Sequence, residues 1–211
     1  MKNFSIIAAI DINMGITRNG KLPWYLPEDI KYFHRITKAV DHSNHQNALI
    51  MDQSAWDSLP DHAKPLGDRI NVVLSTDEEL DLPDGVLQFE NLEAALMALS
   101  TSEIIEEVFV MGGESLFAEA ILYPNLERIY LTKIEADFDC DAFFPDQIPD
   151  LFEVISATEI LEDEGIEYVF VVLERTPVEE LEDDENEAVP AEDDEENPSP
   201  EITGININQI F

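Results

Sequence analysis

The sequence predicts an α/β domain built on a mixed, mostly parallel sheet flanked by helices. Three observations predict it. Short apolar runs bounded by polar loops alternate with helix-like segments along residues 4–175. Gly112-Gly113 follow one such run and precede a helical one, at the strand end where sheets of this class meet their ligands. The chain has 211 residues, 45% hydrophobic and 9% aromatic, enough to bury a core and to exclude wholesale disorder.

The elements follow in order. Phe4 to Ile12 is apolar and strand-like. Pro27-Glu28-Asp29 opens a helix that runs through Val40, with proline at an early helical position and acids in the first turn. Ala48 to Met51 and Ile70 to Ser75 are short apolar runs that read as buried strands. Asn91 caps a helix through Leu99. Val108 to Met111 is a strand ending at the two glycines, and a helix runs from about Ser115 to Leu122. Arg128 to Ile134, Phe152 to Thr158 and Tyr168 to Arg175 complete the strands.

Charge divides the chain. Eleven Lys+Arg stand against 47 Asp+Glu, a formal net charge of −36. Residues 177–201 hold thirteen acids, four prolines and no base, which reads as a disordered acidic linker. Residues 1–176 still carry 34 acids against 11 bases, or −23, so the body itself is acidic. Residues 202–211, with Ile205 and Ile207 alternating with polar neighbours, form a short apolar segment able to add as a strand to a protein partner, or simply a frayed end. With no basic footprint, nucleic-acid binding is excluded, and anionic membrane surfaces are disfavoured. The same acidity also suits life at high ionic strength, where screening shortens repulsion. No apolar run reaches the roughly 18–20 residues of a membrane span. One cysteine, Cys140, excludes an internal disulfide and fits a reducing cytoplasm. Along the chain the four histidines show no metal-ligand spacing, and surface roles are expected for them.

Function is carried by motifs in a fixed order. Met14-Gly15-Ile16, Asn19-Gly20-Lys21-Leu22-Pro23-Trp24 and Leu26-Pro27-Glu28-Asp29 come first. Ile50-Met51 with Trp56 and Ser58-Leu59-Pro60 follow, then Pro65-Leu66-Gly67-Asp68-Arg69-Ile70-Asn71. Val110-Met111-Gly112-Gly113, Ile129-Tyr130-Leu131-Thr132, Asp141-Ala142-Phe143-Phe144-Pro145 and Gly165-Ile166-Glu167-Tyr168 close the series. Together they resemble the dihydrofolate reductase family over residues 4–175. The resemblance implies that fold, and it implies NADPH-dependent hydride transfer to dihydrofolate, giving tetrahydrofolate for one-carbon and thymidylate metabolism.

It also implies roles. Asp29 is the carboxylate that receives the amino and ring N–H groups of the pterin, and burial there should raise its pKa. Thr132 is the hydroxyl bonded to it. Leu22 and Trp24 belong to the loop that closes over the nicotinamide. Ala9 lies at the pocket floor; Phe33 stands four residues after Asp29 and three after Ile30, so all three can face one cleft, and Ile30 and Phe33 line the channel for the benzoyl group. Arg69 clamps the α-carboxylate of the substrate, work suited to a bidentate guanidinium. Ala9, Ile16, Gln53, Ser54, Ser75, Thr76, Gly112, Gly113, Ser115 and Leu116 fall at positions of the cofactor site.

The cofactor positions depart from the family pattern. After Met51 the family has glycine, a base, a variable residue and threonine, whereas this chain has Asp52-Gln53-Ser54-Ala55. Beyond the glycine pair, Glu114 replaces a small residue. Each lost charge-assisted hydrogen bond costs about 1.5–3 kcal/mol, and each 1.4 kcal/mol is about tenfold in affinity. Two readings therefore stand: a divergent reductase with a rebuilt NADPH site, or a non-catalytic relative that has lost NADPH and acts through its tail. A different nicotinamide-dependent reductase fits less well, because Asp29 and Arg69 match the two ends of folate.

Overall fold

The computed structural model describes residues 1–146, 148 and 152–176. The expected linker 177–201 and the segment 202–211 lie outside the described residues. In chain order the strands and helices are β1 (Phe4–Ile10), β2 (Gly15–Thr17), α1 (Pro27–Lys38), β3 (Gln46–Asp52), α2 (Gln53–Ser58), β4 (Arg69–Leu74), β5 (Leu87–Phe89), α3 (Leu92–Ser100), β6 (Ile105–Val110), α4 (Glu114–Ala120), β7 (Leu126–Ile134), β8 (Ala142–Phe143), β9 (Phe152–Ala157), β10 (Leu161–Asp163) and β11 (Ile166–Arg175).

Nine strands form one sheet in the order β10-β11-β7-β1-β6-β3-β4-β5, with β9 also paired to β11. All pairs from β7 to β5 are parallel, whereas β11 runs antiparallel to β7, β9 and β10. The expected mixed, mostly parallel sheet is thus present, with its antiparallel strands at one edge. Burial explains the sequence pattern. Ala48, Leu49, Ile50 and Met51 are fully buried in succession because β3 is covered on both faces, as a central parallel strand must be.

Several boundaries differ from the sequence reading, each for a local reason. β1 stops at Ile10 because buried Asp11 turns the chain, its Oδ1 accepting from the backbone N–H of Asn13 and Gly15 and its Oδ2 from Phe138. α1 stops at Lys38, before Val40, where Asn47 Nδ2 donates to the carbonyls of Thr37 and Ala39. Those carbonyls belong to the helix end that needs outside partners. α4 begins one residue earlier than expected, at Glu114, and ends at Ala120. Asn91 caps α3 as expected, accepting from Ala94 N at 2.9 Å.

The loop between β1 and α1 is an ordered hairpin. Arg18 and Lys21 exchange backbone hydrogen bonds of 2.8 and 3.2 Å across Asn19 and Gly20, both in the left-handed region with φ of 51° and 68°. Two successive positive φ values make a tight turn for which Asn-Gly is the preferred pair. β2 pairs with β8, and Asn19 N donates to Asp141 Oδ2 at 2.7 Å, so this loop is tied to a distant part of the chain.

Candidate active site

Two cavities open at the carboxyl ends of the strands and meet at Ala8, Ala9, Leu22, Leu59 and Met111. Ala9 of β1 is in register with Thr132 of β7, which brings that hydroxyl to the junction. Across it stands Asp29, placed in the first turn of α1 by the Pro27 start. Thr132 Oγ1 donates to Asp29 Oδ1 at 2.6 Å. Burial raises the pKa of the Asp29 carboxyl, and the Thr132 hydroxyl opposes the rise by favouring the charged form.

The larger cavity, about 660 Å³, is lined by Asp29, Ile30, Phe33, Arg69 and Thr132, with Leu22 at its mouth. Its walls are mainly apolar. At the end away from Asp29, buried Arg69 is held rather than ion-paired. Its Nε donates to Gly67 O at 3.0 Å and its Nη1 to Thr37 Oγ1 at 2.7 Å, while Thr37 Oγ1 donates to Phe33 O. The guanidinium also lies over the Phe33 ring, 5.5 Å from its centroid. Burial lowers the Arg69 pKa to about 10, which still leaves a full positive charge at neutral pH. Ile30, half-exposed, and Phe33 flank the channel between the two polar ends.

The smaller cavity, about 350 Å³, is lined by Ala9, Ile16, Gly20, Leu22, Asp52, Ser54, Gly112, Gly113, Glu114 and Ser115 among others. Gln53, Ser75, Thr76 and Leu116 are not part of its lining. Leu116 is buried in the core, and Ser75 Oγ donates to Gln53 Oε1 at 2.8 Å, tying these two predicted contacts to each other. Asp52 caps α2, its Oδ1 accepting from Ala55 N at 2.9 Å and from Ser54 Oγ at 2.6 Å. Glu114 Oε1 accepts from Phe143 N and so fastens α4 to β8. Trp24 is not in either lining. It is buried, with its ring edge-on to Phe138 at 5.3 Å, and anchors the base of the loop that carries exposed Leu22.

Sequence reasoning missed some of this lining. His34, expected at the surface, faces the larger cavity together with Lys38 and Tyr32. Burial, Arg69 and Lys38 all lower the His34 pKa. Its position four residues before Lys38 on α1 was the available signal. Cys140 packs against Asp11 and Gly15, and burial with Asp11 pushes its thiol up to about 12, in keeping with an inert side chain.

A cleft at the carboxyl ends of a mostly parallel sheet, with a carboxylate–hydroxyl pair at the junction of two cavities, defines an α/β enzyme that handles two ligands side by side. Residues 3–175 match the dihydrofolate reductase family, and the chain belongs to it. It is 39% identical to dihydrofolate reductase of Drosophila melanogaster over 83% of this chain and 99% of that protein. Identity to the Heliothis virescens dihydrofolate reductase is 38% over 77% of this chain and 90% of that protein, and to the Rattus norvegicus one 37% over 83% and 98%.

The family uses NADPH, and the cleft fits a reduced nicotinamide dinucleotide. Ala9, Ile16 and Leu22 give an apolar recess for a ring at the junction. A Cβ on Gly113 would come within 2.8 Å of Ser54 Oγ and 3.2 Å of Asp52 Oδ2, so only a bare backbone leaves this channel open.

Proposed function

We propose that this chain reduces dihydrofolate to tetrahydrofolate with NADPH, and that Asp29, Thr132 and Arg69 are the residues on which the reaction turns. The observation that supports the reading is a carboxyl, Asp29, and a guanidinium, Arg69, lining one mainly apolar cavity, the first held by Thr132 and the second by Thr37, eight residues after Asp29 along the same helix. Dihydrofolate has a hydrogen-bond-donating pterin at one end and carboxylates at the other. NADPH, when bound, supplies the hydride.

The protein orients and manages protons. Asp29 receives the donors of the pterin and fixes the ring in the plane reached from the smaller cavity. Its raised pKa keeps a proton within reach of the ring nitrogen that gains one. Arg69, pre-held by Gly67 O and Thr37 Oγ1, presents its remaining N–H groups to the α-carboxylate at little cost in rotamer freedom. Leu22 covers the junction, and Ala9 leaves room for close approach of the two rings. No observation favours the non-catalytic alternative.

Residues 1–176 form the catalytic body in this reading, 177–201 the acidic linker and 202–211 a segment for a protein partner. The change of composition at Thr176 supports that division. Among the described residues no helix is long and apolar enough to cross a membrane. The single cysteine and the small diffusible substrate support a cytoplasmic site of action. The test is Asp29→Asn, which keeps the shape and the Thr132 contact. Turnover should fall by about 10²–10⁴-fold with no loss of folding. Unchanged turnover removes Asp29 from the mechanism.

A further inference from the structure

We infer that His42, His45 and Glu106 form a binding site for one borderline divalent cation of the zinc class, at the amino ends of the central strands β3 and β6, the opposite end of the sheet from the cleft. The two histidines lie in the loop between α1 and β3, and Glu106 is the second residue of β6. Their spacing along the chain conceals the cluster, because the carboxylate is about sixty residues away.

The geometry has three parts. His42 Nδ1 and His45 Nδ1 each lie 3.2 Å from the same oxygen, Glu106 Oε2. Two ligands on one tetrahedral metal, bonded at about 2.0–2.1 Å, are about 3.3–3.4 Å apart. All three ligand atoms lie within 4.8 Å of one another, so a modest turn of one ring closes the third edge. The carboxylate is also fixed before either ring reaches it: Asp41 N donates to Oε1 at 2.5 Å and His42 N to Oε2 at 3.3 Å. Such backbone donors orient a ligating carboxylate.

A plain histidine–glutamate ion pair accounts less well for the arrangement. The two rings are 4.7 Å apart and converge on one oxygen that already accepts a backbone N–H. Protonating both would set two positive charges against one carboxylate. A divalent cation instead uses all three ligand atoms together, and exposed His42 leaves an open side for water. Two imidazoles with one carboxylate select zinc, nickel or cobalt over magnesium or calcium, which prefer oxygen donors.

The role is structural. β3 spans seven residues from this site to Asp52, about 23 Å at about 3.3 Å per residue, so a bound ion is remote from hydride transfer. It would staple the exit of α1 to β6. The experiment is calorimetric titration of the full chain with zinc chloride in excess magnesium, which occupies the many plain carboxylates. One equivalent of zinc should bind at neutral pH and raise Tm. His45→Asn should weaken binding tenfold or more, and the double change His42→Asn with His45→Asn should abolish it, with dihydrofolate turnover unchanged. Should the double variant fold poorly, cobalt(II) added to the unaltered protein gives a second readout, a visible tetrahedral spectrum with nitrogen ligation. Equal zinc binding in wild type and double variant, no binding at all, or an octahedral cobalt spectrum overturns the site.

Discussion

Asp29 carries two consequences that can be separated by pH. Burial raises its folded pKa above the unfolded value near 3.8, so the native state holds this proton more tightly than the unfolded chain does. The linked stability is fully present below the unfolded pKa and is lost as pH rises through the folded one. Asp29→Asn, which cannot ionise, should therefore raise Tm at neutral pH, and the gain should vanish in acid; melting curves across pH check the sign. Thr132 Oγ1 works against the rise by donating to Oδ1, so Thr132→Val should move the limb of the pH–rate profile set by Asp29 to higher pH while the fold persists. A profile that stays in place means that the hydroxyl does not act on Asp29. At the outer end of the channel, Arg69→Leu removes two charge-assisted bonds to substrate at about 1.5–3 kcal/mol each, so KM for dihydrofolate should rise by at least about 10²-fold with a smaller change in kcat. The identities of Asp29, Thr132 and Arg69 were legible in the sequence because each sits inside a dense motif. What holds them was not: the Thr37 hydroxyl on Arg69 joins positions thirty-two residues apart, and nothing in composition or period signals such a contact.

Among elements, α2 is where sequence and structure differ most usefully. It is six residues long, too short to show a helical period, and the sequence reading left it out. Its N-terminus explains the most unusual residue of the cofactor half. Asp52, where a glycine is usual, accepts from Ala55 N and Ser54 Oγ and so works as an N-cap, a role asparagine fills about as well. The carboxylate also lies beside Gly113, in the channel a dinucleotide would take. Charge and capping can thus be tested apart. Asp52→Asn should leave the folding stability within about 0.5 kcal/mol of wild type. NADPH binding should tighten about tenfold or more at low salt, and by less at molar salt, where the lost repulsion was already screened. Equal affinity at both salts would show that the charge does not reach the cofactor. The long strands were read from sequence to within a few residues, since buried runs such as Ala48–Met51 permit little else. The two-stranded pairing of β2 with β8 was not, because three- and two-residue strands carry no pattern and are joined by contacts 122 residues apart, such as that of Asn19 with Asp141.

For the whole molecule, the governing quantity is a net charge of −36, of which residues 1–176 carry −23. Self-repulsion of that size destabilises a folded body, and salt relieves it. Deleting residues 177–211 should leave Tm of the body unchanged or slightly higher, and a collapse of Tm would contradict the division at 176. The same field opposes the approach of NADPH and of dihydrofolate, both polyanions, which gives Arg69 more to do here than in a neutral protein. The fold class followed from alternation of elements alone, whereas the function needed the ordered motifs, because many chemistries share such sheets. The central claim is that both cavities serve one reaction. It is tested most directly by following NADPH oxidation by the full chain with dihydrofolate, at low and at molar salt. The account predicts saturable, dihydrofolate-dependent turnover that falls by about 10²–10⁴-fold in Asp29→Asn and has a lower KM for NADPH at molar salt. Absence of turnover at both salts, in a folded protein that still binds folate in the Asp29 cavity, would contradict it.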